Sequence, residues 1–377
     1  MDLEKTTKSA YPRNPVITLP AYRNKSGFLY RYLHRYGNVI LMMDMNACEW
    51  QTAALLIFYD IQKSAMVTPP DWTAYEKSCR VFDVCPIQSC VFSLALLGEK
   101  CILSCFEMRR HTWQQCEIPV EWSHNRFSSP RIRMEYDGAT LYVGILDTKT
   151  EFWSYFKVIR TKGELYLEPL SFLRGDFTLF HPIRSSQDEM VFRVSGNSLE
   201  IQNAQENTFQ KVHAHDAIIR YCHNGFDIIA SDSEQFSLEY DALIGKYIYY
   251  EIVEESKSVL MKYDLVSHDN CVVSDAQERF VALSSEKDLY TYDRMTFQRM
   301  SDGKLFSVDT VMQAFQKLQV PFLDEIEPFP AMCFFHDHWL EIEVCDFRFF
   351  VIHLDTMQPY YLEGVIDVVG EHIYHYA

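Results

Sequence analysis

A short pattern recurs from end to end of this sequence and limits the fold to one class. A β-rich run ends in a large residue followed by an acid, a polar turn comes next, and a second β-rich run follows. Tyr59-Asp60, Tyr240-Asp241, Tyr263-Asp264, Tyr292-Asp293 and Leu354-Asp355 mark such run ends, with looser copies at Phe106-Glu107 and Phe156-Lys157. An Asp suits the end of a strand because its carboxylate accepts a hydrogen bond from backbone two residues on and starts the turn. A second pattern places Gly before an apolar pair that opens a strand: Gly37-Asn-Val-Ile-Leu, Gly138-Ala-Thr-Leu-Tyr, Gly225-Phe-Asp-Ile-Ile, Gly245-Lys-Tyr-Ile-Tyr and Gly370-Glu-His-Ile-Tyr. Gly there permits the positive φ of a tight turn. The two patterns alternate, so each unit reads as a small antiparallel meander.

Many of the strand-end markers are about 46 to 50 residues apart, near the period of propeller blades. They crowd between about residues 220 and 295, and they spread between Asp293 and Asp355. A helix accounts for the spread. Val308, Val311, Met312, Phe315 and Leu318 fall on one helical face, Ser307 or Asp309 caps its start and Pro321 stops it. It is the one helix expected, in an insertion at about 304–330 that continues into an acidic, Pro-bounded loop.

The openings, hairpins and spacing resemble those of the kelch-like and WD-like β-propeller superfamily, over about residues 30–377. The kelch double glycine and the Trp-Asp signature of WD repeats are both missing from this sequence. The resemblance implies a rigid disc whose loops bind partners, often other proteins, and it transfers no functional residue. The expected fold is therefore all-β: a single closed β-propeller of four-stranded blades, seven in number with six or eight as alternatives. Residues 1–25 are expected to be a flexible segment and 26–377 the propeller. Its last strand, Ile373–Tyr376, is expected to close the blade begun at Gly37. A two-domain β protein with a boundary near residue 240 is the competing organisation.

Composition restricts function more than it identifies it. Hydrophobic residues make up 48% of the 377 and charged residues 23%, enough apolar material for a sizeable core. The formal charge of −17 repels phosphate backbones, so nucleic acid is an unlikely partner. Local basic spots remain at Arg109, Arg110 and His111, and at Arg126, Arg131 and Arg133, and read as solvated surface. The 11 cysteines include no C-x-x-C pair, which suits free thiols in a reducing compartment. No signal-peptide core and no long apolar run occurs, so the expected location is cytoplasmic or nuclear, without a membrane.

Searches for G-x-G-x-x-G, Walker A, G-x-S-x-G, H-E-x-x-H and the sialidase-type Asp box find none in the sequence. Two histidine clusters could chelate a metal, His213-His215-Asp216 and His336-Asp337-His338. Both also read as polar connections between strands. Paired carboxylates across a propeller channel are the remaining route to catalysis. The six Trp residues could in principle be sugar-stacking platforms, and the strand-borne Trp153 and Trp339 read as packing between blades instead. No residue is assigned as catalytic, cofactor-binding or metal-binding, and no cofactor is expected. The leading expectation is a non-enzymatic protein–protein interaction module or scaffold subunit, acidic and with other proteins as partners. The alternative is a propeller-type hydrolase or lyase acting on carbohydrate or peptide.

Overall fold

The computed structural model describes residues 14–44, 56–98, 100–118, 132–146, 153–186, 188–203, 208–212, 215–222, 224–254, 257–274, 280–283, 288–292, 295–320, 333–344 and 347–377. It divides into two compact units. One takes residues up to Ala21, Asp241–Glu251 and Ser256–Ala377, and the other takes Tyr22–Tyr240 and Ile252–Glu255.

The fold is all-β and built from antiparallel meanders that follow one another along the chain. In the unit centred on 22–240, the first sheet has strands Tyr30–Tyr36, Val39–Asp44, Leu56–Asp60 and Ala65–Met66 in that order. The second runs Arg80–Ile87, Cys90–Leu97, Lys100–Glu107 and Thr112–Ile118. The third runs Ile132–Tyr136, Leu141–Leu146, Trp153–Arg160 and Leu165–Pro169. The fourth has Leu173–Ser185, Glu189–Asn203, Asp216–Cys222 and Gly225–Ser231, with Thr208–Val212 added beside Glu189–Asn203.

In the other unit lie most of Ser237–Ile244, Tyr247–Glu254, Lys257–Asp264 and Asn270–Ser274, then Phe280–Leu283, Leu289–Tyr292, Thr296–Arg299 and Leu305–Ser307. Cys333–His336, Trp339–Val344, Arg348–His353 and Gln358–Glu363 form the last four-stranded sheet. The hairpin Val365–Val369 and His372–Tyr376 closes the chain, and Val16–Leu19 pairs with it in parallel, Val16 opposite Ile373 and Leu19 opposite Tyr376.

That last pairing differs from expectation. The strand opened by Gly37 has its own complete sheet, and Val16–Leu19, expected in a flexible segment, is the strand that joins Ile373–Tyr376. Leu19 is fully buried and Ala21 and Ala377 continue the ladder by backbone bonds, so the segment is fixed by burial as well as by pairing.

Strand position explains strand composition. Second strands such as Cys90–Leu97, Leu141–Leu146 and Trp339–Val344 are buried along nearly their whole length, whereas fourth strands such as Thr112–Ile118 alternate with exposed residues. A strand covered on both faces reads as a continuous apolar run, and one covered on a single face alternates. Within each unit, consecutive sheets pack face to face. Phe92, Leu94, Cys101, Leu103 and Cys105 meet Leu141, Val143 and Ile145 in one core layer. In the other unit Phe297 and Phe306 meet Phe335, Leu340, Phe350 and Ile352.

The expected helix is present as Val308–Gln316, with Val311 and Phe315 buried in this second layer. Ser307 occupies its N-cap but makes no side-chain cap bond. The acidic loop expected after it, 321–332, lies outside the described residues. A second helix, Pro70–Ser78, was not expected. It buries only Trp72 and Tyr75, so it has no stripe to read, and its sequence signals are confined to its ends: Pro70 at the first position, Asp71 in the first turn and Lys77 in the last.

Candidate functional site: the hairpin ends of the sheets

The two recurring sequence patterns meet at one end of each meander, because the first-to-second and third-to-fourth turns of an antiparallel sheet lie at the same end. In five sheets the first turn has two residues, and its leading residue has positive φ: Gly37 (59°), Gln88 (53°), Gly245 (60°), Asp337 (49°) and Gly370 (56°). The third strand ends at Asp60, Glu107, Asp264, Arg299 and His353, and the residue four further on again has positive φ: Ser64, His111, His268, Gly303 and Met357. In four of these the N–H of that later residue closes the turn on the carbonyl of Glu107, Asp264, Arg299 or His353.

A single backbone bond then ties the two turns together in four sheets, and in a fifth it ties the third-to-fourth turn to Leu289, the first residue of the second strand. Ile61 N–H donates to Asn38 O, Met108 to Ser89, Leu265 to Lys246, Met300 to Leu289 and Leu354 to His338. Side chains repeat the link in three sheets: Asn38 Nδ2 to Gln62 Oε1 at 2.9 Å, Lys246 Nζ to Asp264 Oδ2 at 2.6 Å, and His338 Nδ1 to Asp355 Oδ2 at 3.0 Å.

This alignment revises four sequence markers. Tyr240-Asp241 lies inside a first strand, as the crowding near 240 allowed. Tyr292 ends a second strand, so its sheet closes at Arg299 instead, and Asp293 lies outside the described residues. Leu354-Asp355 follows the true strand end at His353. The third strand that contains Phe156 and Lys157 continues to Arg160.

In the unit that carries residues 256–377, these ends hold a dense ionic network. The Arg299 side chain is 4% exposed. Its Nη2 lies 2.7 Å from Asp302 Oδ2 and 3.0 Å from Asp355 Oδ1, and its Nη1 lies 2.7 Å from His338 Nδ1. Lys304 Nζ reaches the same Asp355 oxygen at 2.6 Å. Arg299 and Lys304 together hold the Asp355 carboxyl far below the usual range, against the opposing effect of its partial burial. His338 Nδ1 touches both a guanidinium and a carboxylate, and one nitrogen either accepts from the first or donates to the second. Tyr290 donates its hydroxyl proton to the Asp337 carbonyl.

Beside this network, His353 is 3% exposed, stacks at 6.0 Å on the His338 ring and meets Trp339 edge-on. Burial pushes its pKa down to about 4, so the ring is neutral at neutral pH. Its Nε2 lies 3.7 Å from Glu371 Oε2, and burial pushes the Glu371 carboxyl up. Trp339 donates its indole N–H to Gly370 O at 2.8 Å, which fixes this corner against the terminal hairpin. Exposed apolar side chains stand at the same ends: Val266 (69%) in a third-to-fourth turn, Leu305 (63%) just after another, and Val369 (40%) just before the last first turn.

The predicted histidine clusters separate here. His336 ends a strand, with Nε2 3.1 Å from Glu341 Oε2, while Asp337 and His338 form the two-residue turn. His213 lies outside the described residues. The backbone N–H groups of His215 and Asp216 both donate to Asp232, and the Asp216 carboxylate takes a forked pair of bonds from Arg193. Among the described residues, no group of three or more His, Cys, Asp and Glu is arranged to hold a metal ion.

Trp72 and Trp339 are buried, and Trp153 carries the Arg133 guanidinium 4.2 Å above its ring, so these three serve packing. Of the basic spots, Arg126 and Arg131 lie outside the described residues, and Arg109 bonds Tyr36.

One carboxyl pair escaped sequence reading. Asp83 and Glu135 sit on the first strands of consecutive sheets, and each is raised mainly by burial, Asp83 to about 6 and Glu135 to about 7. Their mutual repulsion adds to the rise at Glu135. Met134 N–H donates to Asp83, and Arg133 Nε lies 3.8 Å from Glu135. Neither acid stands in a motif, so only the packing of two sheets brings them together.

No helix among the described residues is long and apolar enough to cross a membrane. No protein-family model matches the sequence, and no curated protein matches it. Solved structures similar to it include a prolyl endopeptidase, at 8% identity and a TM-score of 0.46 over 87% of this chain and 48% of that one. The chain thus spans about half the length of that enzyme. Others are the β-propeller domain of the Trilobed protease from Pyrococcus furiosus, at 12% identity and 0.39 over 71% and 82% of the two chains, and an oligogalacturonate lyase in complex with manganese, at 13% and 0.42 over 90% and 94%.

Proposed function

We propose that each meander is the blade of a β-propeller and that the chain is a protein-interaction module, binding other proteins through its hairpin ends. The observation that carries this reading is the repeated bond between first-to-second and third-to-fourth turns, which in four sheets braces the end before any partner arrives. Side chains on pre-ordered turns lose little freedom on binding. Val266, Leu305 and Val369 then supply exposed apolar contact at these hairpin ends. The chain's −17 charge favours partners with basic or mixed surfaces. The test is native co-purification of the full chain beside a Val266→Asp, Leu305→Asp double variant. Loss of a stoichiometric partner in the variant, with an unchanged circular dichroism spectrum, supports the reading, and an unchanged partner set contradicts it.

The Asp83–Glu135 pair favours a second reading, a hydrolase or lyase acting on carbohydrate or peptide. Carboxyls with raised pKa values suit general acid and base work near neutral pH. A substrate screen of the purified chain against Asp83→Asn tests it: turnover lost in the variant supports it, and no turnover on glycan or peptide panels removes it.

A further inference from the structure

Five cysteines share the core-facing side of one sheet. The register sets Cys85 opposite Phe92, Phe92 opposite Cys105, Cys90 opposite Glu107, Leu96 opposite Cys101 and Leu103 opposite Cys116. Four of them, Cys85, Cys101, Cys105 and Cys116, have their thiols pushed up, and burial contributes to every one of these shifts. Cys90 stands apart at the hairpin end. It follows the first turn directly and is paired with the last residue of the third strand.

There Arg160 Nη1 lies 2.8 Å from Cys90 Sγ, and Glu107 Oε2 lies 3.4 Å from it. Arg160 is itself held in place: its Nη2 bonds Glu107 Oε2 at 3.1 Å and its Nε bonds Gln114 Oε1 at 2.8 Å. Cys105 lies diagonal to Cys90 on the same face, and hydrogen bonding from its thiol with the Arg160 charge holds the Cys90 thiol down, against the opposing effects of burial and the Glu107 carboxylate. Cys90 is 5% exposed, but the Arg160 side chain beside it is 35% exposed. Gln114, its other anchor, lines a surface pocket of about 370 Å³ with Trp113, Glu164 and Tyr166.

We propose that Cys90 is an oxidant-reactive thiol, attacked by a hydroperoxide, with Cys105 as the partner that closes a disulfide onto it. In the first step the Cys90 thiolate attacks the terminal peroxide oxygen. An S–O bond forms, the O–O bond breaks, sulfur loses two electrons, and the departing alkoxide or hydroxide takes a proton. In the second step the Cys105 sulfur, giving up its proton, attacks the Cys90 sulfenic acid. The S–S bond forms, the S–O bond breaks and water leaves. The product staples two adjacent strands at the base of a hairpin end.

Exposed Cys271, in the other unit, is the internal standard. The full chain is treated with limiting hydrogen peroxide at neutral pH, trapped with dimedone and mapped by mass spectrometry. The wild type is expected to yield a Cys90–Cys105 disulfide, and Cys105→Ser a dimedone adduct on Cys90, each formed about tenfold faster than oxidation at Cys271. Arg160→Gln is expected to slow Cys90 severalfold and leave Cys271 unchanged. An unfolded variant would instead bring all cysteines to a common rate, so the comparison separates loss of activation from loss of fold. Cys90 still reduced once Cys271 has reacted overturns the proposal, as does a Cys90 rate that ignores Arg160.

Discussion

Arg299 Nη2 donates to Asp355 Oδ1 at 3.0 Å and joins the third-to-fourth turns of two successive sheets. The guanidinium is almost fully enclosed while Asp355 keeps 18% of its surface. Replacing Arg299 by Met removes the enclosed partner of Asp355 and leaves it Lys304 and His338, and breaking a buried pair from one side costs about 3–5 kcal/mol. Urea denaturation is expected to show a lower midpoint with an unchanged slope. The Asp355 pKa is depressed in the fold, so its stabilisation is present at neutral pH and is lost as pH falls below the ordinary carboxylate range. The variant's stability is expected to lose that acid limb.

His353 gives a second pH signature of the same sign from a different cause. Its folded pKa is about 4 against an ordinary 6.5, so the unfolded chain binds the extra proton between those values. Stability is expected to fall as pH drops from 6.5 to about 4, and His353→Gln to flatten that interval. Thermal melts across the interval read it directly.

Asp83 and Glu135 act in the opposite direction. Their raised values mean that the folded chain holds protons which the unfolded chain has released. Stability is expected to fall as pH rises from the ordinary carboxylate range to about 7. Asp83→Asn is expected to raise the melting temperature at neutral pH and to change little in acid.

The short helix Pro70–Ser78 is held by its two aromatic residues. Trp72 is fully buried against Phe58, Phe106 and Trp113, and Tyr75 donates its hydroxyl proton to Ser104 Oγ at 2.9 Å. Trp72→Ala is expected to cost about 3–5 kcal/mol, and Tyr75→Phe, which takes a partner from the buried Ser93 and leaves Ser104 with Gln115, about 1–2 kcal/mol. Urea midpoints for both variants check this order.

Removing residues 1–20 deletes the strand that covers Ile373–Tyr376. The exposed strand then presents unpaired backbone to any other chain. A lower melting temperature and concentration-dependent light scattering are expected, and a melt superimposable on the full chain's would contradict a stabilising role for Val16–Leu19.

The sequence by itself determined the local chemistry. Strand runs, the helix from Val308, and the glycines at 37, 245 and 370 were legible because each follows from backbone sterics or hydrophobic period within a few residues. The turn chemistry of Asp60 and Asp264 was legible for the same reason: each carboxylate accepts the N–H two residues on, at 2.9 Å and 2.8 Å. Tertiary structure decided which signals are equivalent. Tyr292 ends a second strand and Arg299 a third, and no local pattern distinguishes those places. Only tertiary structure joined Val16–Leu19 to Ile373–Tyr376, set Asp83 near Glu135, and laid Arg160 against Cys90. Each of these depends on contacts between segments far apart in the chain, whose energies come from burial and charge in a packed interior and leave no periodic trace in the sequence.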